Sequence, residues 1–206
     1  PPVDEPRRAK LLAEAAINEA NGAIVELART REGCAGMGTT VVMGYFGCDW
    51  LLYAHVGDSR LYRLRDRRLQ QLTTDHSFIQ EVVDQGFFPS LDEARAYGIN
   101  ENVLTRAVGS APYVVATTAV TDLAVGDIYL FCTDGLSGMV AHEDLRAVLD
   151  AAKGGLGIAA DALVHYATEN GGTDNITLAL VRVNAVSHIA PSAKLHADNQ
   201  DNAETS

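Results

Sequence analysis

The sequence predicts a single α+β domain, in which helices pack against strands that are connected by short turns. Three features support this prediction: a long helical pattern over residues 7 to 30, two adjacent strand patterns over residues 39 to 46 and 50 to 56, and an uncharged apolar stretch over residues 128 to 132. A chain of 206 residues is most simply one domain. Its composition, 47% apolar and 21% charged, is ordinary for a soluble globular protein and gives no sign of global disorder.

The first predicted element is an amphipathic helix over residues 7 to 30. Asp4 and Pro6 are typical start signals, and Gly33 is a typical stop signal. We expect the helix to lie closely on a sheet, because its predicted buried stripe is rich in small residues. The members of this stripe are Leu12, Ala16, Ala20, Ile24 and Leu27.

Residues 39 to 46 and 50 to 56 follow as two strands joined by a short turn. A third strand over residues 61 to 65 places Arg63 and Arg65 on one face. A solvated basic face is favoured here over a patch that recruits phosphate.

The stretch from residue 75 to residue 110 predicts short helices and loops. Asp75 or Ser77 can cap one helix, and Ser90 opens a capping box for another. Two interpretations stay open for this stretch: a mobile flap beside a functional site, or a plain surface excursion.

The strand pattern resumes over residues 114 to 121 and 127 to 132, and helices follow over residues 142 to 152 and 158 to 168. A last strand over residues 175 to 183 closes the domain. The uncharged stretch over residues 128 to 132 predicts that this strand is buried on both faces.

Two aspartates stand at the ends of predicted strands. Asp134 directly follows the buried strand, and Gly135 behind it allows a sharp turn or a close approach. Asp174 precedes the last strand. If these strands are antiparallel neighbours, both carboxylates lie at one edge of the sheet, where they repel unless a cation lies between them. A divalent metal site and two ordinary turn aspartates are both consistent with this pattern.

Charge and cysteine content limit the classes of partner. Asp and Glu number 27 against 16 Lys and Arg, and the net charge of -11 disfavours binding to nucleic acid or an anionic membrane. Cys34, Cys48 and Cys132 match no zinc spacing. We find no signal peptide and no apolar run of roughly 20 residues, so we expect a cytoplasmic protein without membrane insertion. The chain starts at Pro1 without a methionine, so the absence of a targeting segment carries little weight.

Six short motifs follow one another along the chain. They are Met-Gly-Thr-Thr at 37 to 40, His-Val-Gly-Asp-Ser-Arg at 55 to 60, Leu-Thr-Thr-Asp-His-Ser at 72 to 77, Thr-Arg-Ala-Val-Gly at 105 to 109, Cys-Thr-Asp-Gly-Leu at 132 to 136 and Gly-Thr-Asp-Asn-Ile at 172 to 176. In order and spacing this series resembles the metal-dependent protein phosphatase 2C family, especially its compact bacterial members. Six ordered motifs are far more specific than any one of them.

The resemblance implies a four-layer α-β-β-α sandwich of two antiparallel sheets faced by helices. It implies two or three Mn²⁺ or Mg²⁺ ions at one end, and hydrolysis of phosphoserine and phosphothreonine by a metal-activated water. The implied substrates are proteins phosphorylated by a bacterial serine/threonine kinase.

The resemblance also implies roles for particular residues. Three aspartates are implied as metal ligands: Asp58, Asp134 and Asp174. Two residues that lead into the flap are given a supporting role: Asp75 and His76. Two arginines are given a structural role: Arg60 and Arg106.

One part of the family pattern is not found. The family has an N-terminal segment that supplies core strands, a phosphate-contacting arginine and an Asp-Gly-x-Gly-Gly stretch whose aspartate bridges two metals, and residues 1 to 31 contain none of these. We therefore expect residues 1 to 184 to form a phosphatase-type domain lacking that segment, and residues 185 to 206 to form a disordered tail or linker. Two alternatives follow: a non-catalytic binding or regulatory module on the same fold, and a phosphatase for small phosphate esters.

Overall fold

A computed structural model describes residues 5 to 152 and 155 to 187. Its helices are α1 (Pro6–Thr30), α2 (Phe78–Asp84), α3 (Leu91–Ala96), α4 (Asp134–Ser137), α5 (His142–Asp150) and α6 (Leu156–Glu169). Its strands are β1 (Val41–Phe46), β2 (Trp50–Val56), β3 (Arg60–Arg65), β4 (Arg68–Gln71), β5 (Thr117–Asp122), β6 (Ile128–Cys132) and β7 (Leu178–Arg182). The predicted helices and strands are confirmed as elements, but the predicted strands 114 to 121 and 175 to 183 begin three residues too early. Strand β4 and the single-turn α4 were not predicted. Helix α1 begins at Pro6 as expected, and Asp4 lies outside the described residues.

The strands form two antiparallel sheets. One has the strand order β1-β2-β5, and the other has the order β4-β3-β6-β7. In the four-stranded sheet Cys132 of β6 pairs with Arg60 of β3 on one side and with Leu178 of β7 on the other. Strands β6 and β7 are therefore the antiparallel neighbours that the aspartate argument required. The predicted burial of β6 is also confirmed, since four of its five residues are buried.

Helices cover the outer face of each sheet. Ile17 of α1 packs in one cluster with Leu52 of the three-stranded sheet. Leu163 of α6 packs in another with Leu130 of the four-stranded sheet, and a third cluster fills the space between the sheets. Each fully buried leucine contributes about 1.5 to 3 kcal/mol to stability. The four-layer α-β-β-α sandwich is confirmed.

The buried face of α1 differs from the predicted stripe. Its buried residues are Ala9, Ala13, Ile17 and Asn21, whereas Leu12 is 52% exposed. The prediction chose the face by apolar character alone. The buried face still has small residues close to the sheet, as expected, and Ile24 of the predicted stripe packs partly buried against the same cluster. The face also contains one fully buried asparagine, whose amide is hydrogen-bonded.

The expected solvated basic face on β3 is also wrong. Arg63 donates to Thr121 Oγ1 of β5 across the sandwich at 3.1 Å. Arg65 pairs with Asp122 of β5 at 2.7 Å and with Asp127, beside β6, at 2.6 Å. This face of β3 is turned towards the other sheet, so the two arginines bridge the sheets at the rim of the sandwich.

The described chain continues along the domain after β7. The Ser187 N–H donates to the Cys48 carbonyl at 3.0 Å, and Val186 packs against the cluster between the sheets. Most of the predicted tail, from residue 188 to residue 206, lies outside the described residues. The division at residues 184 and 185 stays a prediction.

Within residues 5 to 152 and 155 to 187, no helix combines the length and the apolar character needed to cross a membrane. The cytoplasmic location and the lack of nucleic-acid binding stay predictions.

Candidate metal centre

The strand register brings the three aspartates expected as metal ligands to one end of the four-stranded sheet. Asp58 lies two residues before Arg60 and Asp134 two residues after Cys132, and Arg60 and Cys132 are paired across β3 and β6. Asp174 lies before β7, the other neighbour of β6. All three aspartates line one pocket of about 690 Å³.

Gly135 allows two chain segments of this pocket to meet. A Cβ at this position would overlap the carbonyl oxygen of Asn175 and would lie 2.9 Å from its carbonyl carbon. The adjacent aspartates are oriented by local backbone bonds: Asp134 Oδ1 accepts from the Gly135 N–H at 2.9 Å, and Asp174 Oδ1 accepts from the Asn175 N–H at 2.6 Å. The close approach of the two backbones therefore sets the spacing between Asp134 and Asp174.

The charge of the pocket suits a cation. Burial raises the pKa of the Asp58 carboxyl above its ordinary value of 3.8, and the negative charge of Asp134 raises it further. A divalent ion between such carboxylates removes their repulsion, and hard oxygen ligands are those that Mg²⁺ and Mn²⁺ prefer. The residues present therefore fit a hard divalent cation.

The number of side-chain ligands for any one ion is small. Within the described ranges, no three His, Cys, Asp or Glu side chains are grouped closely enough to hold one metal ion. An ion held there by one or two of these carboxylates would complete its shell with water or substrate oxygens, as Mg²⁺ commonly does.

Asp75 also lines the pocket, but it is engaged by Arg60. The Arg60 Nε lies 3.0 Å from both Asp75 oxygens and its Nη2 lies 2.6 Å from Oδ2, while Gln71 Nε2 donates to Oδ1 at 3.1 Å. Burial is the largest influence on the pKa of Arg60 and lowers it, but the hydrogen bonds to Asp75, the charge of Asp75 and the contact with Tyr62 together raise that pKa above its ordinary value. Asp75 thus holds a buried guanidinium at the pocket wall and has little capacity left for a metal.

His76 lies behind the pocket and holds the turn before Asp58. Its ring Nδ1 accepts from the Gly57 N–H at 3.1 Å, and its backbone N–H donates to the Gly57 carbonyl at 3.0 Å. Its ring stacks on that of His55 with centroids 4.4 Å apart. Burial lowers the pKa of His76 to about 4, with smaller contributions from His55 and Arg106, so the ring is neutral at pH 7.

Arg106 lies on the far side of His76. Because Nδ1 is an acceptor, the neutral ring carries its proton on Nε2 and donates to Thr117 Oγ1 at 2.9 Å. The Arg106 Nη1 is 3.3 Å from that protonated nitrogen and 3.4 Å from Thr117 Oγ1, so the threonine is its acceptor. Arg106 does not line the pocket.

One wall of the pocket comes from the 75–110 segment, so this segment lies beside the candidate site. This wall contains Ile79 and Gln80 of α2, Leu91 and Arg95 of α3, and Glu101 and Asn102 after α3. Sequence reasoning placed a flap here as one alternative but named none of these wall residues. Their helical spacing predicted only helices, since wall and solvent faces of such short helices carry similar residue types.

The fold and the site together define a class: a two-sheet α-β-β-α domain with three aspartates lining a pocket at one sheet end. No protein-family model matches the chain. The serine/threonine phosphatase stp of Listeria welshimeri is 37% identical over 168 residues, which cover 82% of this chain and 66% of that protein. The serine/threonine phosphatase of S. agalactiae superposes with a TM-score of 0.81 at 33% identity, covering 88% of this chain and 74% of that one.

The catalytic domain of the phosphatase PstP, solved in complex with two manganese ions, superposes with a TM-score of 0.74 at 33% identity and covers 84% of this chain and 70% of that one. This chain belongs to the metal-dependent protein phosphatase 2C family, in its compact bacterial serine/threonine type. It spans 66% or less of the length of the curated relatives named stp, PstP and PhpP that it matches.

Proposed function

We propose that this chain is a metal-dependent serine/threonine protein phosphatase. The observation that carries the proposal is the meeting of Asp58, Asp134 and Asp174 at one pocket through the register of β3, β6 and β7. Family membership supports it, because relatives that match over most of this chain are named serine/threonine phosphatases. Phosphoserine and phosphothreonine in proteins are the proposed substrates, and a bacterial serine/threonine kinase is the proposed source of the phosphate.

Asp58, Asp134 and Asp174 would hold the metal ions. Mn²⁺ or Mg²⁺ bound there would supply an activated water and neutralise charge on the phosphoryl oxygens. One oxygen of Asp134 and one of Asp174 each accept a hydrogen bond from a backbone N–H, and these bonds fix the orientation of the two carboxylates. Two or three ions are proposed for the complete site, and the two manganese ions of the PstP structure support this number.

Other residues of the pocket have supporting roles in this proposal. Arg60 and Asp75 form a close ion pair that holds the pocket wall in place. His76 keeps the turn before Asp58 in place, and Arg106 lies against His76. The wall from α2 and α3 faces the aspartates and would contact the polypeptide around the phosphorylated residue.

The test is hydrolysis of a phosphothreonine peptide by this chain with manganese, with a chelator, and with Asp134→Asn. We expect chelator-sensitive turnover in the parent and a loss of at least about 100-fold in Asp134→Asn, because removing the charge of a metal ligand removes metal affinity. The matched control is Asp161→Asn, which changes an exposed carboxylate on α6 outside the pocket. Unchanged turnover in Asp134→Asn would refute the assigned site.

The same preparation separates the alternatives. Calorimetric titration that shows no manganese binding at millimolar concentration, with a folded and inactive parent, would support the non-catalytic module. Faster turnover of a small aryl phosphate than of the phosphopeptide, both dependent on Asp134, would support the small-ester phosphatase.

A further inference from the structure

Asn21 is a polar residue in the middle of the buried face of α1. Its side chain is fully buried, with Ala13 and Ile17 on the same face of the helix. The amide satisfies both of its ends on one loop: Nδ2 donates to the Ala111 carbonyl at 2.9 Å, and Oδ1 accepts from the Gly109 N–H at 2.7 Å. Burying an amide is unfavourable without such partners, so the hydrogen bonds to the loop, and not packing alone, account for an asparagine at this position.

The loop backbone lies directly against α1 at this point. Gly109 has a φ of +93°, and a Cβ there would overlap the side chain of Ile24 and lie 3.1 Å from the Met37 carbonyl oxygen. Only glycine is tolerated in this conformation at this distance. Asn21 and Gly109 therefore fix the height of the loop above the helix.

The other side of the same loop is bonded to the site. The Thr105 N–H donates to the His76 carbonyl at 2.9 Å. Val108 and Thr39 exchange backbone hydrogen bonds of 2.8 and 2.9 Å. The loop is thus clamped between α1 and two segments that reach the Asp58 turn.

Both neighbours of Asp58 are held by those two segments. His76 makes two hydrogen bonds to Gly57, as described above. Thr40 lies 2.8 Å from Ser59 through their hydroxyl oxygens, and a Cβ on Gly57 would overlap the Thr40 side chain. The turn that carries Asp58 has little freedom while the 105–109 loop stays in place.

We propose that Asn21 is a positioning residue for Asp58, acting through the 105–109 loop, His76 and Gly57. This role rests on the proposed function for its catalytic meaning, since Asp58 is a proposed metal ligand. The structural part of the inference does not need a metal. In this part, the Gly57 turn stays ordered only while the Asn21 side chain of α1 holds the opposite side of the loop.

The test is amide hydrogen exchange of the metal-free chain, measured at the Gly57 N–H, which donates its hydrogen bond to His76 Nδ1. Leu130 in the centre of the four-stranded sheet reports global opening in the same sample. In Asn21→Ala we expect protection of Gly57 to fall about tenfold relative to Leu130, which corresponds to losing about one net hydrogen bond from the support of the turn. Equal changes at Gly57 and Leu130 would overturn the proposal, because a merely structural loss lowers both together.

Asn18→Ala is the matched control. Asn18 is one turn earlier on α1, and its Oδ1 accepts from the Val114 N–H at 3.2 Å, beyond the 105–109 loop. We expect Gly57 protection relative to Leu130 to stay within about twofold of the parent in this variant. A tenfold drop there would also overturn the proposal, since any damage to the helix contact would then reach the turn.

If Asn21→Ala does not fold, the parent chain decides the case. The Gly109 N–H, which donates to Asn21 Oδ1, and the Gly57 N–H should then open with the same free energy in hydrogen exchange. A Gly57 N–H that stays protected when the Gly109 N–H has exchanged would overturn the proposal, because the turn would then not need the Asn21 contact. With manganese, calorimetry should show about threefold to tenfold weaker binding for Asn21→Ala than for Asn18→Ala. Absence of manganese binding in the parent would count against the proposed function and leave the exchange result to decide the positioning role.

Discussion

Replacing Gly135 by alanine tests the geometry on which the candidate site depends. The added Cβ would lie 2.9 Å from the carbonyl carbon of Asn175 and closer still to its oxygen. Carbon atoms in contact are normally about 3.5 to 4.0 Å apart, so the two backbones must separate by roughly 1 Å. Both neighbours are backbone atoms, so no side-chain rotation can relieve the overlap.

We expect Gly135→Ala to lower the free energy of unfolding by about 1 to 3 kcal/mol, the usual cost of adding a methyl group to a filled space. The separation also moves Asp134 away from Asp174. A displacement of about 1 Å at a reacting site can cost about 100-fold in rate, so we expect turnover to fall by about this factor in addition to the loss of stability. The control is Gly157→Ala, where a Cβ meets nothing within 4 Å. Because Gly157 lies in α6, alanine there should stabilise the chain by up to about 1 kcal/mol.

Urea denaturation of both variants gives the stability change, and the rise in Tm with added manganese gives the effect on the metal site. Gly135→Ala should show a lower midpoint and a smaller manganese-induced rise than the parent. A Gly135→Ala protein with parental stability and a parental response to manganese would refute the reasoning, because it would mean that the two segments can part without cost.

Three further predictions concern titratable groups around the pocket. The pKa of His76, about 4 when folded against an ordinary 6.5, should be visible by NMR titration of its ring. Because the unfolded chain then binds more protons between these values, the stability due to neutral His76 should be full above pH 6.5 and decline towards pH 4. Asp75→Ala leaves Arg60 without its buried partner and should cost about 3 kcal/mol in urea denaturation. Asp58→Asn removes a carboxylate whose pKa is raised by burial and by Asp134, so the metal-free variant should have a higher Tm at pH 7. That gain should vanish below pH 3.8, where Asp58 is protonated in both states, and the variant should lose the manganese-induced rise in Tm.

Much of the fold could be predicted because its strongest patterns are local. The uncharged stretch of β6 predicted burial on both faces, and the apolar spacing of residues 7 to 30 predicted a helix. The buried face of that helix could not be predicted from apolar residues. This face packs on β2 through Ala9, Ala13 and Ile17, and it also contains Asn21, whose hydrogen-bond partners lie in a loop far away in the sequence.

The candidate site divides in the same way. Asp134 and Asp174 could be placed at one sheet edge by assuming that β6 and β7 are antiparallel neighbours, which the register confirms. The engagement of Asp75 by Arg60 could not be predicted, because it needs the side-chain geometry at the turn after β4. The arginines of β3 were misplaced for a related reason: alternation shows which residues share a face, but not whether that face meets solvent or a second sheet.

The register that assembles the pocket also bears on how the chain folds. Asp58, Asp134 and Asp174 are far apart in sequence and meet only after β3, β6 and β7 have paired, so the pocket is made by contacts of high sequence separation, which form slowly. An ion held by carboxylates from two of these strand ends binds the folded state alone and stabilises it by about 2.7 kcal/mol at a free concentration of about 100 times Kd. Where the ligands come together only after the transition state, such an ion should slow unfolding while leaving the refolding rate nearly unchanged. Metal occupancy would then govern how long the domain persists once folded rather than how quickly it forms.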